Sequence, residues 1–480
     1  MTNIAHNTDP SHAGLPHPHD LQRRSLAAVW HPCTQMARAA VVPPLPIARG
    51  DGPWLIDYEG RRYFDANSSW WVNLFGHSDD GIKSAIHQQL DTLAHVMLAG
   101  CTHAPAVELA EKLSALTGGA LGHTFFASDG ASAVEIALKM SFHSWRNRGQ
   151  EAKREFVCLR HGYHGETIGA LAVTDVAVFR DAYAPLLMQA HVVASPDSRQ
   201  GPDSEALALA DLRKLLEARQ GHIAALIIEP LVQCAAGMVM HAPSYLHAVR
   251  ALCDTFGVHL IADEIAVGCG RTGTFFAFEQ ALASAGPPQA GETPSGGGAH
   301  TRAPGGTHPF GWPDFITLSK GISGGMLPLS LVLTTEAVYQ CFWSDDVARG
   351  FLHSHSYTGN ALACAAANAV LDRFASGNVL EHNRQQSAWL QQAFAPLQAD
   401  TRVQHLRQRG MILAFDVRPE LAGQRFAERF HLAARQHELL IRPIGNTVYL
   451  MPPYLVDEPT AQFLAQAVTQ TLNDVLHHAA

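Results

Sequence analysis

The sequence has no unbroken apolar stretch of the roughly 18 residues that a membrane-crossing helix requires, which argues against a membrane protein. It has no basic start followed by an apolar run, so no secretory leader is expected. Its eight cysteines form no CxxC pair and lie scattered, mostly among apolar residues; this pattern fits reduced core thiols and a cytoplasmic protein. There are 28 histidines but no HExxH and no Cys/His cluster at zinc spacing, so no metal site is expected. Positive charge is not in excess. A formal net charge of -9 argues against a nucleic-acid partner. Lysine is scarce, with only Lys83, Lys112, Lys139, Lys153, Lys214 and Lys320.

What remains is the composition of a large soluble enzyme, 47% hydrophobic and 16% charged over 480 residues, enough for two or three domains. Residues 1–20, rich in His, Pro and Asn, read as a disordered tail. PWLIDYEGRRYFDANSSWW predicts a β-hairpin turning at Glu59-Gly60. From about Gly81 helical and strand patterns alternate. GIKSAIHQQLDTLAHV, APAVELAEKLSALT, ASAVEIALKMSFHSW and PSYLHAVRALCDTF carry helical periodicity. HTFFASDG, REFVCLR, HIAALIIEP, VHLIADEI and DFITLSKG are short apolar runs. The alternation predicts an α/β fold, a mostly parallel sheet with helices on both faces. The Gly/Pro/Ser/Thr-rich stretch 281–312 reads as a flexible insertion within this unit. Beyond about Val370, one helical pattern, the strands MILAFDV and LLIRPIGNTVYLMPPY and a last helix predict a smaller α+β domain. The expected division is therefore an N-terminal segment 21–80 packing with the small domain, a large domain 81–370 and a C-terminal small domain 371–480.

Lys320 is the most informative residue. The other five lysines read as helical or polar surface, whereas Lys320 ends the apolar run DFITLSKG. A lysine at the carboxyl end of a buried parallel strand projects into the crevice where α/β sheets bind ligands. Burial disfavours its ammonium form, so the amine can form a Schiff base. Asp263 ends another apolar run, VHLIAD, and is expected at the same edge. A carboxylate there could keep a cofactor pyridine nitrogen protonated, although a helix-capping acid is the alternative. SDGASAVEIALKM offers a turn and a helix start suited to a phosphate, with Ser128, Asp129 and Gly130 at the approach. Tyr163 in HGYHGET is a candidate to stack on a cofactor ring, or core. Arg442, read as lying in an apolar strand, needs a partner: a substrate carboxylate or an internal ion pair. Trp70 and Trp71 would wall a pocket or serve as core, and core is favoured.

Together these residues resemble the class III aminotransferases of pyridoxal-phosphate fold type I, from about Trp30 to Tyr454, interrupted by the insertion. IIEP, ADEIAVGCGRTG, LSKGISGG and HSHSYTGNALAC resemble the class as a whole. WHPCTQM, SSWWVNLFGH and IRPIGNTVYLMPPY resemble its biotin-pathway branch. The resemblance implies pyridoxal 5'-phosphate as cofactor and a ping-pong transfer of an amino group from S-adenosyl-L-methionine to 8-amino-7-oxononanoate, giving 7,8-diaminononanoate. It leaves open another class III activity on ω-amino acids, diamines or acetylornithine. It implies that Lys320 is the catalytic lysine bound to the cofactor aldehyde, Asp263 the acid on the pyridine nitrogen, Gly130 and Ala131 the phosphate turn and Tyr163 the stacking ring. Cys33, Trp70, Tyr163, Lys320, Ser354 and Arg442 would contact substrate, with Arg442 at its carboxylate. It further implies a homodimer in which Ser354, His355 and Ser356 serve the neighbouring subunit's site, His355 and Ser356 at the cofactor and Ser356 on its phosphate. Two positions depart from the family pattern: tyrosine is common where Cys33 stands, and serine where Ala131 stands.

Overall fold

The computed structural model describes residues 18–284 and 311–477. Most of the expected tail and insertion, residues 1–17 and 285–310, lies outside the described residues. Their inner margins differ from expectation. Residues 18–20 open a helix, Pro18–Ala28, and residues 281–284 close another, Glu279–Ser284. The helical pattern had reached into both margins, but Pro, Gly and His in the neighbouring residues obscured it.

The centre is a seven-stranded sheet. Its spatial order is His123–Ala127, Ser330–Thr334, Phe315–Leu318, His259–Asp263, Ile223–Ile228, Glu155–Leu159 and Ala190–Val193. Six strands run one way and Ser330–Thr334 runs against them, antiparallel to both neighbours. The five runs named from sequence all became strands of this sheet. Ile223–Ile228 is buried at every position because helices cover both faces, so its residues show no polar alternation. The sheet's edge strand Ala190–Val193 and the reversed strand Ser330–Thr334 were not anticipated.

Local chemistry sets the flanking helices. Asp79, His103 and Asp129 cap the helices Asp80–Leu90, Ala104–Leu116 and Gly130–Asn147 by accepting from backbone amides. Pro243–Phe256 stops at Gly257, whose φ of 62° is the left-handed cap that glycine adopts without strain. The first of these helices ends at Leu90, short of the predicted Val96.

The predicted hairpin is present. Trp54–Asp57 pairs antiparallel with Arg62–Asp65, and the Asp57 carboxylate accepts from the amides of Glu59 and Arg61 across the turn. Ile47–Asp51 extends this sheet on one side, and Leu439–Leu440 joins it in parallel on the other. LLIRPIGNTVYLMPPY is therefore not one strand. Leu439–Leu440 belongs to the N-terminal sheet, while Thr447–Leu450 pairs with Ile412–Val417 in a separate three-stranded sheet. Pro443 cannot donate a ladder hydrogen bond, and Gly445 turns the chain at φ 59°, so the run breaks there. Arg442 falls in the break and is exposed; the argument from a charge buried within a strand does not apply to it.

Candidate active site

The sheet gathers the site at the carboxyl ends of its parallel strands, where side chains emerge into the crevice left by the helices. Asp263 is the last residue of its strand and stands beside Thr317 of the neighbouring parallel strand. Lys320 follows two residues after that neighbour ends. Lys320 has φ 47°, a left-handed conformation costly for a residue with a Cβ, which re-aims the side chain from the strand direction. Lys320 and Asp263 line one cavity of about 430 Å³ together with Gly130, Ala131 and Tyr163.

Three donors fix the Asp263 carboxylate. His164 Nδ1 lies 2.6 Å from Oδ2, while the Ile265 amide and Thr317 Oγ1 donate to Oδ1 at 3.2 Å. A carboxylate has about four lone-pair sites, so one acceptor site is left for a group in the cavity. Burial pulls the Lys320 ammonium below its usual range, against the attraction of Asp263, Cys234 and Glu229. An amine that releases its proton more readily is better suited to nucleophilic and acid–base work.

The cavity's other end is a helix start. Gly130 and Ala131 are the first residues of Gly130–Asn147, so their amides have no acceptor within the helix. Space there is exact: a Cβ on Gly130 would lie 3.1 Å from Ile265 Cδ1, and one on Gly165 only 2.6 Å from the Ala131 Cβ. Gly165 thus has no room for a side chain against Ala131. An amine, a carboxylate with a vacant lone-pair site and free helix amides around one cavity match an aldehyde, a pyridine N–H and a phosphate. These residues fit pyridoxal phosphate.

Tyr163 lines the cavity, with its hydroxyl donating to Glu166 at 3.0 Å and its amide to Glu229 at 3.0 Å. Glu229 is buried, and burial raises its carboxyl to about 7. Sequence reasoning missed His164, Glu166, Thr317 and Glu229 as parts of the site. The motifs HGYHGET and IIEP held three of them, but nothing in spacing says which polar residue turns inward.

A second cavity of about 660 Å³ opens from the first past Lys320, Tyr163, Trp70 and Trp71 and reaches Cys33 and Arg442. The tryptophans divide their labour. Trp71 is buried, as core was favoured, and its Nε1 donates to the Tyr449 hydroxyl at 3.0 Å. Trp70 is 49% exposed and walls the pocket, contrary to the core expectation, with the Arg442 guanidinium 5.6 Å from its ring centroid. Among the described residues no carboxylate lies within ion-pair distance of Arg442, so the internal salt bridge weighed from sequence is not made. Cys33 is at the junction of the cavities, its thiol raised by burial and by Glu166 and lowered by Arg442. Ser354, His355 and Ser356 line neither cavity. His355 pairs instead with His353, 3.2 Å between Nε2 atoms. Lys153 is also not the surface lysine its segment suggested; it is buried, its Nζ bonded to the Gly257 carbonyl and 4.1 Å from the Trp145 ring centroid.

A lysine and an aspartate delivered by adjacent parallel strands to one crevice define a pyridoxal-phosphate enzyme of the fold type I architecture. The chain belongs to the class-III aminotransferase family, whose model matches residues 35–287 and 305–472. It is 38% identical to the adenosylmethionine-8-amino-7-oxononanoate aminotransferase of Helicobacter pylori, over 95% of this chain and 98% of that protein. It is 33% identical to the same-named enzyme of Aquifex aeolicus, over 95% and 98% of the two chains. The crystal structure of the Methanocaldococcus jannaschii enzyme of that name superposes with a TM-score of 0.84 at 31% identity, covering 95% of this chain and 99% of that one. A PLP-bound amine transaminase from an uncultivated Pseudomonas species superposes at 0.82 with 29% identity, covering 93% and 99%.

Proposed function

We propose that this chain is the aminotransferase that moves the amino group of S-adenosyl-L-methionine to 8-amino-7-oxononanoate, giving 7,8-diaminononanoate in biotin biosynthesis, with pyridoxal 5'-phosphate as cofactor. The observation that carries the reading is Arg442. Among the described residues it is a cation without a carboxylate partner, held over Trp70 in a pocket that begins at Lys320 and includes the apolar side chains of Val178, Phe179 and Leu440. Such a pocket suits an acceptor with a reacting ketone at one end, an aliphatic chain between and a carboxylate at the other.

When bound, pyridoxal phosphate supplies an aldehyde that takes up an amine and a ring that withdraws electrons. The chain's own residues do the rest. Asp263, held by His164 and Thr317, would keep a proton on the ring nitrogen and so favour the ring as an electron acceptor. Lys320 Nζ would move a proton between the amino-bearing carbon of the substrate and the aldehyde carbon of the bound cofactor, in one direction with the donor and in reverse with the acceptor. Its lowered pKa raises the fraction of free amine available for this. The amides of Gly130 and Ala131 would hold the phosphate, Tyr163 would cover the ring, and Trp70 and Trp71 would wall the space beside Lys320. Cys33 stands where it would touch the substrate.

Ser354–Ser356 lines neither of the two cavities and is flanked by exposed apolar side chains, Leu352 at 80% and Tyr357 at 64%. This supports a homodimer in which the segment completes the partner's site; sedimentation equilibrium at twice 51.9 kDa is expected, and a monomer that is fully active would oppose it. Among the described residues no helix is long and apolar enough to cross a membrane.

The test is to add single amino donors to the cofactor-loaded protein and follow loss of the aldehyde form by absorbance. S-adenosylmethionine should discharge it, and 8-amino-7-oxononanoate should restore it. Arg442→Met should raise the acceptor KM by roughly ten- to a hundredfold, the loss expected of a charge-assisted pair. Discharge by glutamate or a simple amine, with none by adenosylmethionine, would favour the amine or ω-amino-acid reading instead.

A further inference from the structure

The pocket holds a second guanidinium besides that of Arg442. Arg435, at the end of helix Phe426–Ala434, lines the same 660 Å³ cavity as Lys320 and Arg442. It is half-buried, yet among the described residues no carboxylate lies within ion-pair distance of it. Its contacts are neutral: NH1 donates to the Pro43 carbonyl at 3.1 Å and NH2 to His431 Nε2 at 2.7 Å, while Nε is buried with no partner. His431 Nδ1 in turn lies 2.8 Å from the Ile441 carbonyl. That bond places the histidine proton on Nδ1 and leaves Nε2 as acceptor, so His431 orients Arg435 without neutralising it.

Two like charges facing one cavity repel each other, and a half-buried cation without a counter-ion is costly. Neither acid that lines the cavity lies within ion-pair distance of Arg435 or Arg442. Asp65 accepts from Ser69 and His77, and Glu166 accepts from Tyr163. Among the described residues, two guanidinium groups thus line one cavity and neither has an anion beside it.

We infer that Arg435 and Arg442 together form a two-arginine grip for the carboxylate of the acceptor, with His431 as the positioning residue behind Arg435. Arg435 is thereby a specificity-determining residue for acidic acceptors. The inference deepens the proposed function and rests on the same pocket. It predicts that an eight- or nine-carbon aliphatic carboxylate binds the cofactor-loaded enzyme with no reacting ketone present.

The experiment is titration calorimetry of the cofactor-loaded protein with nonanoate and with the neutral nonanamide. Wild type should bind nonanoate at least tenfold more tightly than the amide. Arg435→Met keeps the aliphatic stem, and should weaken nonanoate roughly ten- to a hundredfold while leaving nonanamide unchanged. Arg435→Lys should recover part of the difference, because charge returns but the planar fork does not. Equal nonanoate affinity in wild type and Arg435→Met would overturn the inference. So would a loss shared by acid and amide alike, which marks a packing role. These outcomes are independent of turnover: if nonanoate is selected through Arg435 but 8-amino-7-oxononanoate is not aminated, only the proposed substrate fails.

Discussion

At the scale of single residues, the site rests on a carboxylate that is held in place and still left one partner short. Asp263 accepts three hydrogen bonds and retains one acceptor site. Its replacement by asparagine preserves size but removes the charge that holds a proton on the ring nitrogen. For Asp263→Asn we expect kcat to fall roughly 10²–10³-fold with the cofactor still bound, measured by turnover and by absorbance of the loaded protein. Activity within twofold of wild type would remove Asp263 from the chemistry. Lys320 and Asp263 were legible in the sequence because each closes a short apolar run, and a parallel sheet sends such residues to one edge. His164 and Thr317, which hold Asp263, were not, since a polar residue beside a site looks the same in sequence whether it turns inward or outward. Arg435 was hidden for a further reason. Its meaning depends on which acids it fails to meet, and absence of a partner is a property of the fold alone.

At the scale of elements, the chain accepts backbone strain where it shapes the substrate pocket. Ser68, Ser69, Trp70 and Trp71 have φ of 49°, 47°, 73° and 72°, a left-handed helical turn closed by Trp71 N–H to the Asn67 carbonyl at 2.8 Å. Such a turn costs about 1–2 kcal/mol per residue with a Cβ. Side-chain bonds hold it: Ser68 Oγ donates to the Met451 carbonyl and Ser69 Oγ to Asp65, both at 2.7 Å, and buried Arg271 donates to the Trp71 carbonyl. The turn splits the tryptophan pair, sending Trp71 into the core and Trp70 to the pocket wall. The motif SSWW carries no glycine, so sequence patterns did not foretell this conformation. It can be isolated by comparing Ser69→Gly with Ser69→Val, which lose the same hydroxyl. Thermal unfolding should find the glycine variant more stable by about 1–3 kcal/mol, because a β-branched side chain resists positive φ. The reverse order, normal for an extended segment, would show the turn to be absent. The segment LLIRPIGNTVYLMPPY departs from the single strand its apolar content suggested, because Pro443 and Gly445 divide it between two sheets.

At the scale of the whole molecule, the parallel sheet and its helices set up one crevice, and the N-terminal and C-terminal segments close over it. We propose that 21–80 and 371–480 form one small domain against the large domain 81–370, as Leu439–Leu440 pairing with Arg62–Asp65 suggests; limited proteolysis releasing 21–80 while leaving 371–480 folded would count against it. The core also predicts a pH response. Burial holds His259, between Ser141 and the stacked Trp145 ring, down at about 3. Its folded pKa is below its unfolded value near 6.5, so the unfolded chain binds the extra proton as pH falls. The stability this gives is present above about pH 6.5 and is lost as pH falls towards 3, by at most about 1.4 kcal/mol per pH unit. Glu264, pushed up to about 8 by burial, acts oppositely as pH rises, so the histidine is best tested alone. Compared by thermal unfolding at pH 7 and pH 5, His259→Gln should lose less stability on acidification than wild type. An equal loss in both proteins would place the acid sensitivity elsewhere. The central claim is that Lys320, alone among six lysines, carries the cofactor. It is tested most directly by loading the protein with pyridoxal phosphate, reducing with borohydride and mapping the modified peptide by mass spectrometry. A single phosphopyridoxyl group on Lys320, absent in Lys320→Ala, is the predicted result; the label on another lysine, or on none, would contradict the account.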